Sequence, residues 1–222
     1  MKKLNWDSAF WGIDVFDAKF DESINVELGN RYLIQTLFDQ SDLLDKIDKE
    51  QFKFIETKIT LKKDLKVKRN FNEKSFRSID LNDLEQYKDK FYSLFGRYSR
   101  FRIFPPDKVN EFYYIWLQNS INKKDDTNAI GYYVNNELAA FVTFKFVLDS
   151  IHIGLIGVFE DFQRKGISSE LIAYVENKLS GNGLTKIRIS TNSFNLPALN
   201  TYIKNGFVIE EIKYWYYKYK MD

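Results

Sequence analysis

The amino-acid sequence predicts an α/β fold, with a smaller N-terminal α/β subdomain ahead of a larger one. Three observations predict it. Strand-like alternation recurs, as at residues 186–191, where Ile187 and Ile189 share one face. Segments of helical period lie between such strands, as at Leu171, Ile172, Val175 and Leu179. Glycines punctuate the transitions, at Gly181, Gly183 and Gly206. Strands that alternate with helices point to a layered α/β architecture.

In chain order, residues 13–20 read as a strand. Residues 29–38 have helical periodicity through Leu33, Ile34, Leu37 and Phe38. Residues 52–61 alternate as a further strand. The lysine-rich stretch 62–69 then reads as a solvated linker or loop. The subdomain boundary is expected near Asn70, giving 1–70 and 71–222. Pro105-Pro106-Asp107 opens a helix with Val109, Phe112, Tyr113, Trp116 and Leu117 on its buried face. Residues 132–146 form a hairpin about Asn135-Asn136. Residues 151–158 are an apolar strand, and alternation puts His152, Gly154, Ile156 and Val158 on one face. The helix after it ends at Gly181 and Gly183. Asn195 is an N-cap with Pro197 in the first turn. That helix runs to Lys204, Gly206 ends it, and Phe207 begins a last strand.

Composition bounds the function. The 222 residues suffice for one core or two closely packed subdomains. A net charge of +2 does not suggest a general polyanion trap, so no nucleic-acid partner is expected. Cysteine is absent, which removes disulfides, thiolate metal sites and any thiol nucleophile. No metal site is expected. The opening Met1-Lys-Lys-Leu-Asn-Trp6 has no apolar run, and no stretch reaches membrane-spanning length. A cytoplasmic location and no membrane partner are therefore expected. Aromatic residues make up 17% of the chain; some of those rings belong to the core and some would line a groove for a ring-shaped substrate.

The most informative stretch is Val158-Phe-Glu-Asp-Phe-Gln-Arg-Lys-Gly-Ile-Ser-Ser169. A strand runs into a loop with a Gln, two cations and a Gly, and the loop opens into a helix. The first N–H groups of that helix lack partners, and the macrodipole adds partial positive charge. Arg164 and Lys165 add full charge. A phosphate or pyrophosphate is the expected ligand. Neither GxxxxGK[ST] nor GxGxxG is present, which argues against the two familiar phosphate loops.

The spacing Gln163-x-x-Gly166-x-Ser168 resembles the Q/R-x-x-G-x-G/A signature of GNAT acetyltransferases. Ser168 departs from the usual Gly or Ala, but it is small and can cap a helix. Residues 190–207 resemble the N-x-x-A-x-x-x-Y-x-x-x-G-F region of the same superfamily. The resemblance implies a mixed central sheet flanked by helices and acetyl-CoA as acyl donor. It implies that Gln163, Arg164, Lys165, Gly166, Ile167, Ser168 and Ser169 cradle the pyrophosphate. It gives Asn195 and the Val158 backbone to the pantetheine arm. It makes Tyr202 the general acid for the departing thiolate, after direct attack by an amine without an acyl-enzyme. The lone histidine, His152, resembles in position the general base of histone-type members. A strand histidine with a local partner, or a water chain as base, is the other option.

Four further segments narrow the resemblance. Leu4-Asn-Trp-Asp-Ser-Ala-Phe-Trp-Gly12 is similar to the opening of the TDP-fucosamine acetyltransferase group. Residues 99–102, the segment 116–120 and the ending Lys213-Tyr-Trp-Tyr-Tyr217 are similar to the same group. This implies N-acetylation of a nucleotide-linked 4-amino-4,6-dideoxy sugar destined for surface polysaccharide. Arg100 would then pair with substrate pyrophosphate, with an ordinary ion pair as the alternative. Trp6 is a candidate substrate contact, or with Phe10 a plug of the N-terminal core while Asp7 or Ser8 caps a turn. Other acceptors remain open: an amino acid, a polyamine or a protein N-terminus. So does a coenzyme-A-binding protein without catalysis. The aromatic C-terminal strand would complete a homodimer sheet or close the fold.

Overall fold

The structure, a computed structural model, describes residues 1–18, 28–38, 51–65, 73–178 and 183–221. Compactness divides it into Met1–Ile59 with Glu211–Asp222, and Thr60–Glu210. The division differs from one at residue 70 because the end of the chain returns to the first unit.

In the first unit, β1 (Lys2–Lys3) pairs antiparallel with β2 (Asp14–Asp17). Strand β3 (Tyr32–Phe38) runs parallel to β2. Strands β4 (Lys53–Asp64) and β10 (Val208–Lys220) contribute residues to both units. In the first, β10 pairs antiparallel with β3, from Tyr214↔Phe38 to Lys220↔Tyr32. The C-terminal strand is thus paired within its own chain.

The helix expected at 29–38 is therefore a strand. Apolar doublets at Leu33-Ile34 and Leu37-Phe38 fit a helical stripe, but they also fit a strand covered on both faces. Leu33, Ile34, Gln35 and Thr36 are buried in succession, as a central strand requires. Helix α1 (Asn5–Trp11) is pinned by Ser8, whose hydroxyl donates to the Leu4 carbonyl (2.8 Å) and accepts from the Val15 N–H (2.9 Å). Residues 19–20, expected to end the first strand, lie outside the described residues.

The second unit holds a mixed sheet in the order β9-β8-β7-β6-β5. Its strands are β5 (Phe76–Arg77), β6 (Thr127–Val134), β7 (Glu137–Val147), β8 (Ser150–Val158) and β9 (Lys186–Asn192). Only β8 and β9 run parallel among these neighbours; the other pairs are antiparallel. The β6–β7 hairpin turns on Asn135 (φ 49°) and Asn136 (φ 65°), the two positive φ values that a two-residue turn matched to strand twist needs.

Five helices flank this sheet among the described residues: α2 (Leu81–Glu85), α3 (Phe91–Phe95), α4 (Pro106–Ile121), α5 (Ile167–Lys178) and α6 (Leu196–Lys204). Helix α4 buries Val109, Phe112, Tyr113 and Leu117 as expected, with Trp116 half-buried at its margin. The core is strongly aromatic. Phe91, Phe141 and Phe159 lie with ring centroids 5.7 to 6.3 Å apart, and Tyr87 stacks on Phe159 at 4.5 Å. Truncating one such buried ring to Ala costs about 3–5 kcal/mol.

The lysine-rich stretch is only partly a loop. Lys62 and Lys63 lie in β4, where Lys62 approaches Glu210 (3.5 Å) and Lys63 pairs with buried Glu176. Residues 66–70, with the proposed boundary, lie outside the described residues, as do Leu179 and Gly181.

Candidate active site

Strand β8 carries the feature that organises the site. Its register with β7 jumps from Val142↔Ile156 to Phe144↔Ile153, so β8 holds one extra residue opposite Thr143. The buried Thr143 hydroxyl accepts from the Leu155 N–H at 2.8 Å and satisfies the bulge. A Cβ on Gly154 would come within 2.8 Å of Thr143 Oγ1, and one on Gly157 within 2.6 Å of the Phe141 ring. Thr143 and Phe141 share a face of β7, so Gly154 and Gly157 share the facing side of β8, three residues apart. The bulge overturns simple alternation. His152 lies with the two glycines, while Ile156 and Val158 pass to the other face.

Beyond the bulge the parallel strands part. The β8–β9 register runs from Ser150↔Lys186 to Ile153↔Ile189 and stops. Phe159 N–H donates to the Ala139 carbonyl at 3.0 Å, which makes Ala140↔Val158 a non-hydrogen-bonded pair. The N–H and C=O of Val158, and likewise of Ile156 opposite Val142, therefore turn away from β7. They line an edge on which an extended amide chain can pair.

The loop after β8 is built for an anion. Arg164 (φ 60°) and Gly166 (φ 79°) adopt left-handed backbone, and α5 begins at Ile167. The Gly166 carbonyl accepts the first helical bonds, from Ser169 (2.9 Å) and Glu170 (3.3 Å). The N–H groups of residues 164–168 make no backbone hydrogen bond among the described residues. Successive free N–H groups in such a turn form a concave anion nest, joined here to a helix N-terminus. Arg164 is exposed. Lys165 instead ties back to its own loop, donating to the Asp161 carbonyl (2.8 Å) and lying over the Phe162 ring (5.3 Å). Gln163 donates to the Val158 carbonyl at 3.1 Å and braces loop against strand. Ser169 accepts from buried Asn205 at 3.0 Å, which joins the start of α5 to the end of α6.

Asn195 caps α6, accepting from the Ala198 N–H at 3.2 Å. Asn192, three residues earlier and buried, holds the approach. It accepts from the N–H groups of Phe194 (3.1 Å) and Asn195 (3.0 Å) and donates to the Tyr98 carbonyl. Helix α6 ends with Gly206 at φ 86°; Phe207 N–H donates to the Tyr202 carbonyl (3.1 Å) and the two rings pack at 6.0 Å. Tyr202 is buried, its hydroxyl has no partner among the described residues, and burial pushes its phenol above the usual tyrosine range. It stays protonated at neutral pH.

Asn192 and Asn205 were not anticipated from the sequence. The spacing of Asn192 and Asn195 was the available signal for the first; the second, a helix-terminal Asn before Gly, carried none. The segment 96–102 lies against the β9–α6 turn through the Asn192–Tyr98 bond. Arg100 lies over Phe101 (4.2 Å) and Arg102 over Phe194 (5.8 Å). The Trp116 indole stands 3.6 Å from where a Gly154 Cβ would be, so an aromatic surface faces the bulge. His152 is half-buried and in register with Lys145 and Arg188. Trp6 belongs to the first unit, stacked on Phe10 at 5.3 Å and 42% exposed. Among the described residues no group of three or more His, Asp or Glu side chains is placed to hold a metal ion. No described helix is long and apolar enough to cross a membrane.

Parted parallel strands beside an anion nest define an α/β protein suited to a ligand with both amides and phosphates. The Acetyltransferase (GNAT) family model matches residues 88–207. The chain belongs to this family. It is 27% identical over 124 residues, 54% of its own length, to a dTDP-fucosamine acetyltransferase of Escherichia coli O6:H1. The match covers 53% of that relative, so the chain spans about half the length of the curated protein it matches. Two solved structures share the fold. One is a functionally unknown conserved protein from Staphylococcus epidermidis ATCC 12228 (TM-score 0.61, 22% identity, 84% of this chain and 72% of that one). The other is a GCN5-related N-acetyltransferase from Sphaerobacter thermophilus (TM-score 0.61, 14% identity, 85% of this chain and 60% of that one).

Proposed function

We infer that the protein is an acyl-CoA-dependent N-acetyltransferase whose acceptor is the primary amine of a nucleotide-linked 4-amino-4,6-dideoxy sugar. The single observation that carries the donor half is the nest at residues 164–168 beside the open edge of β8. Acetyl-CoA would supply an activated acetyl thioester. Backbone N–H groups of the nest and the Arg164 guanidinium suit its pyrophosphate. The outward N–H and C=O of Ile156 and Val158 suit the pantetheine amides, with Asn195 at the mouth of α6. Gln163 then trades its bond to Val158 for one to the arm.

Transfer forms one C–N bond and breaks one C–S bond. The amine gives up a proton to water, or to His152, and the departing sulfur receives one from Tyr202. Burial keeps the Tyr202 phenol protonated, so it is available as the proton donor when charge develops on the departing sulfur.

The acceptor assignment rests on charge and ring character. Arg97, Arg100 and Arg102 fall within one short loop, which would repel a polyamine and attract a phosphorylated acceptor. Trp116 presents its Nε1–Cζ2 edge beside Gly154, an aromatic edge with an N–H donor that suits a sugar hydroxyl. The similarity to a dTDP-fucosamine acetyltransferase supports the same acceptor class. Trp6 stays a proposed contact only. A thiol-release assay with acetyl-CoA tests the whole, against TDP- and UDP-linked 4-amino-4,6-dideoxyhexoses, spermidine, amino acids and a peptide. Turnover confined to a nucleotide sugar is expected. Turnover on spermidine alone would overturn the acceptor, and none with coenzyme A still bound would overturn catalysis.

A further inference from the structure

We propose that Phe194, Arg102 and Arg100 form the seat for the nucleoside diphosphate of the acceptor. The base stacks on the Phe194 ring, and the two guanidiniums pair with the diphosphate. The proposal rests on the acceptor being a nucleotide-linked amino sugar, as inferred above.

Phe194 is a large apolar ring left 52% exposed on a turn. Such exposure costs solvation unless something covers it, and the turn is not free to bury it. Its backbone is fixed by Asn192, which accepts from the Phe194 N–H at 3.1 Å. The same buried carboxamide donates to the Tyr98 carbonyl, so one side chain holds both the aromatic turn and the arginine loop. The loop is anchored from below. Ser99 is buried and its hydroxyl accepts from Tyr113 (2.9 Å) and from the Phe101 N–H (3.0 Å). Phe101 is buried against Phe112 at 4.5 Å. Arg100 and Arg102 are the less buried residues on either side of Phe101. Arg102 already leans toward Phe194, with its guanidinium carbon 5.8 Å from the ring centroid.

The chemistry fits one class of ligand. An exposed aromatic face accepts any base by stacking, and a planar guanidinium pairs two phosphate oxygens at once. A nucleoside diphosphate engages both at once, whereas an amino acid or a free sugar offers a carboxylate or a ring but not a base joined to a diphosphate. The placement fits too. Asn195 follows Phe194 directly and caps the helix that carries Tyr202, so the proposed seat and the proposed acid belong to one turn-and-helix segment.

The test uses the full chain and steady-state kinetics with two acceptors, a TDP-linked 4-amino-4,6-dideoxyhexose and the methyl glycoside of the same sugar. TDP alone serves as a competitive probe. Phe194→Ala is expected to raise KM for the TDP-sugar and the inhibition constant of TDP by roughly 5- to 100-fold. The loss should fall on KM rather than kcat, and Phe194→Tyr should restore it. Arg102→Gln is expected to weaken TDP binding and flatten its salt dependence. If Phe194→Ala leaves the preference for the TDP-sugar over the methyl glycoside unchanged, the proposal falls while the acceptor assignment stands. If it raises KM for acetyl-CoA instead, the ring serves the coenzyme and the proposal falls. If the wild-type protein acetylates no nucleotide-linked sugar, the acceptor assignment falls and takes the proposal with it.

Discussion

Replacing Tyr202 with Phe removes one oxygen from the interior of α6 and nothing else. The ring keeps its packing on Phe207 at 6.0 Å, so no cavity forms. The hydroxyl has no partner among the described residues, so no hydrogen bond is lost and no group is orphaned. Removing an unpaired buried hydroxyl changes stability by about 1 kcal/mol or less, in either direction. For a domain of this size that is a melting shift of about 2–4 °C at most. If the phenol donates to the departing sulfur, kcat instead falls about 10²- to 10⁴-fold, the usual worth of a positioned acid. The assay is thiol release at saturating acetyl-CoA, beside a thermal melt and coenzyme A binding by calorimetry. Coenzyme binding should stay within about threefold, since the phenol contributes to the transition state more than to the ground state. The wild-type pH profile supplies an independent check. Burial raises the phenol pKa, so no alkaline fall in kcat should come from this group below about pH 10. A Tyr202→Phe protein with kcat within threefold of wild type would refute the assignment outright.

Three further outcomes follow from the geometry. Gly166 has φ 79° with open space around its Cβ position, so Gly166→Ala should cost only the left-handed penalty of about 1–2 kcal/mol, lowering the melting temperature by a few degrees while raising KM for acetyl-CoA. Asn192→Ala strips partners from two N–H groups and a carbonyl; a loss of about 2–4 kcal/mol on chemical denaturation is expected, together with weaker binding of both substrates. The Arg188 guanidinium, paired to Glu210 at 2.7 and 3.0 Å, holds the Glu210 carboxyl below the usual range. That stability is present above the unfolded glutamate pKa and is lost as pH falls through the lower folded value, so Glu210→Gln should be less stable than wild type at pH 7 and the gap should close toward pH 3, as read from urea unfolding across that window.

Local chemistry made some of this legible in the sequence. Asn135-Asn136 announced its turn because few residues tolerate two positive φ values in a row. Asn195 announced its cap through its short side chain just ahead of Pro197. What failed to show was set by partners far along the chain. Residues 32–38 have no strand-like alternation because both faces of the strand are covered, as the consecutive burial of Leu33 to Thr36 shows. The bulge in β8 depends on Thr143 across the ladder, so alternation alone put His152 on the wrong side of Ile156 and Val158. Lys62 and Lys63 looked solvated because their acids, Glu210 and Glu176, are remote in sequence. Asn192 looked like one more loop amide, since its third partner is Tyr98.

The pairing of β3 with β10 has a consequence for synthesis. Leu33 and Ile34 emerge from the ribosome well before the residues that flank their strand on one side, Tyr214 to Lys220. At about 5–20 residues per second the wait is on the order of ten seconds or more. Throughout it β3 presents an unpaired apolar edge, the kind of surface that recruits chaperones or neighbouring nascent chains. The second unit holds its own paired strands and can condense in that interval. Strand β3 is therefore made well before it can close, and slowing translation just ahead of Tyr214 to Lys220 should lower the yield of native protein more than slowing the stretch that folds into the second unit.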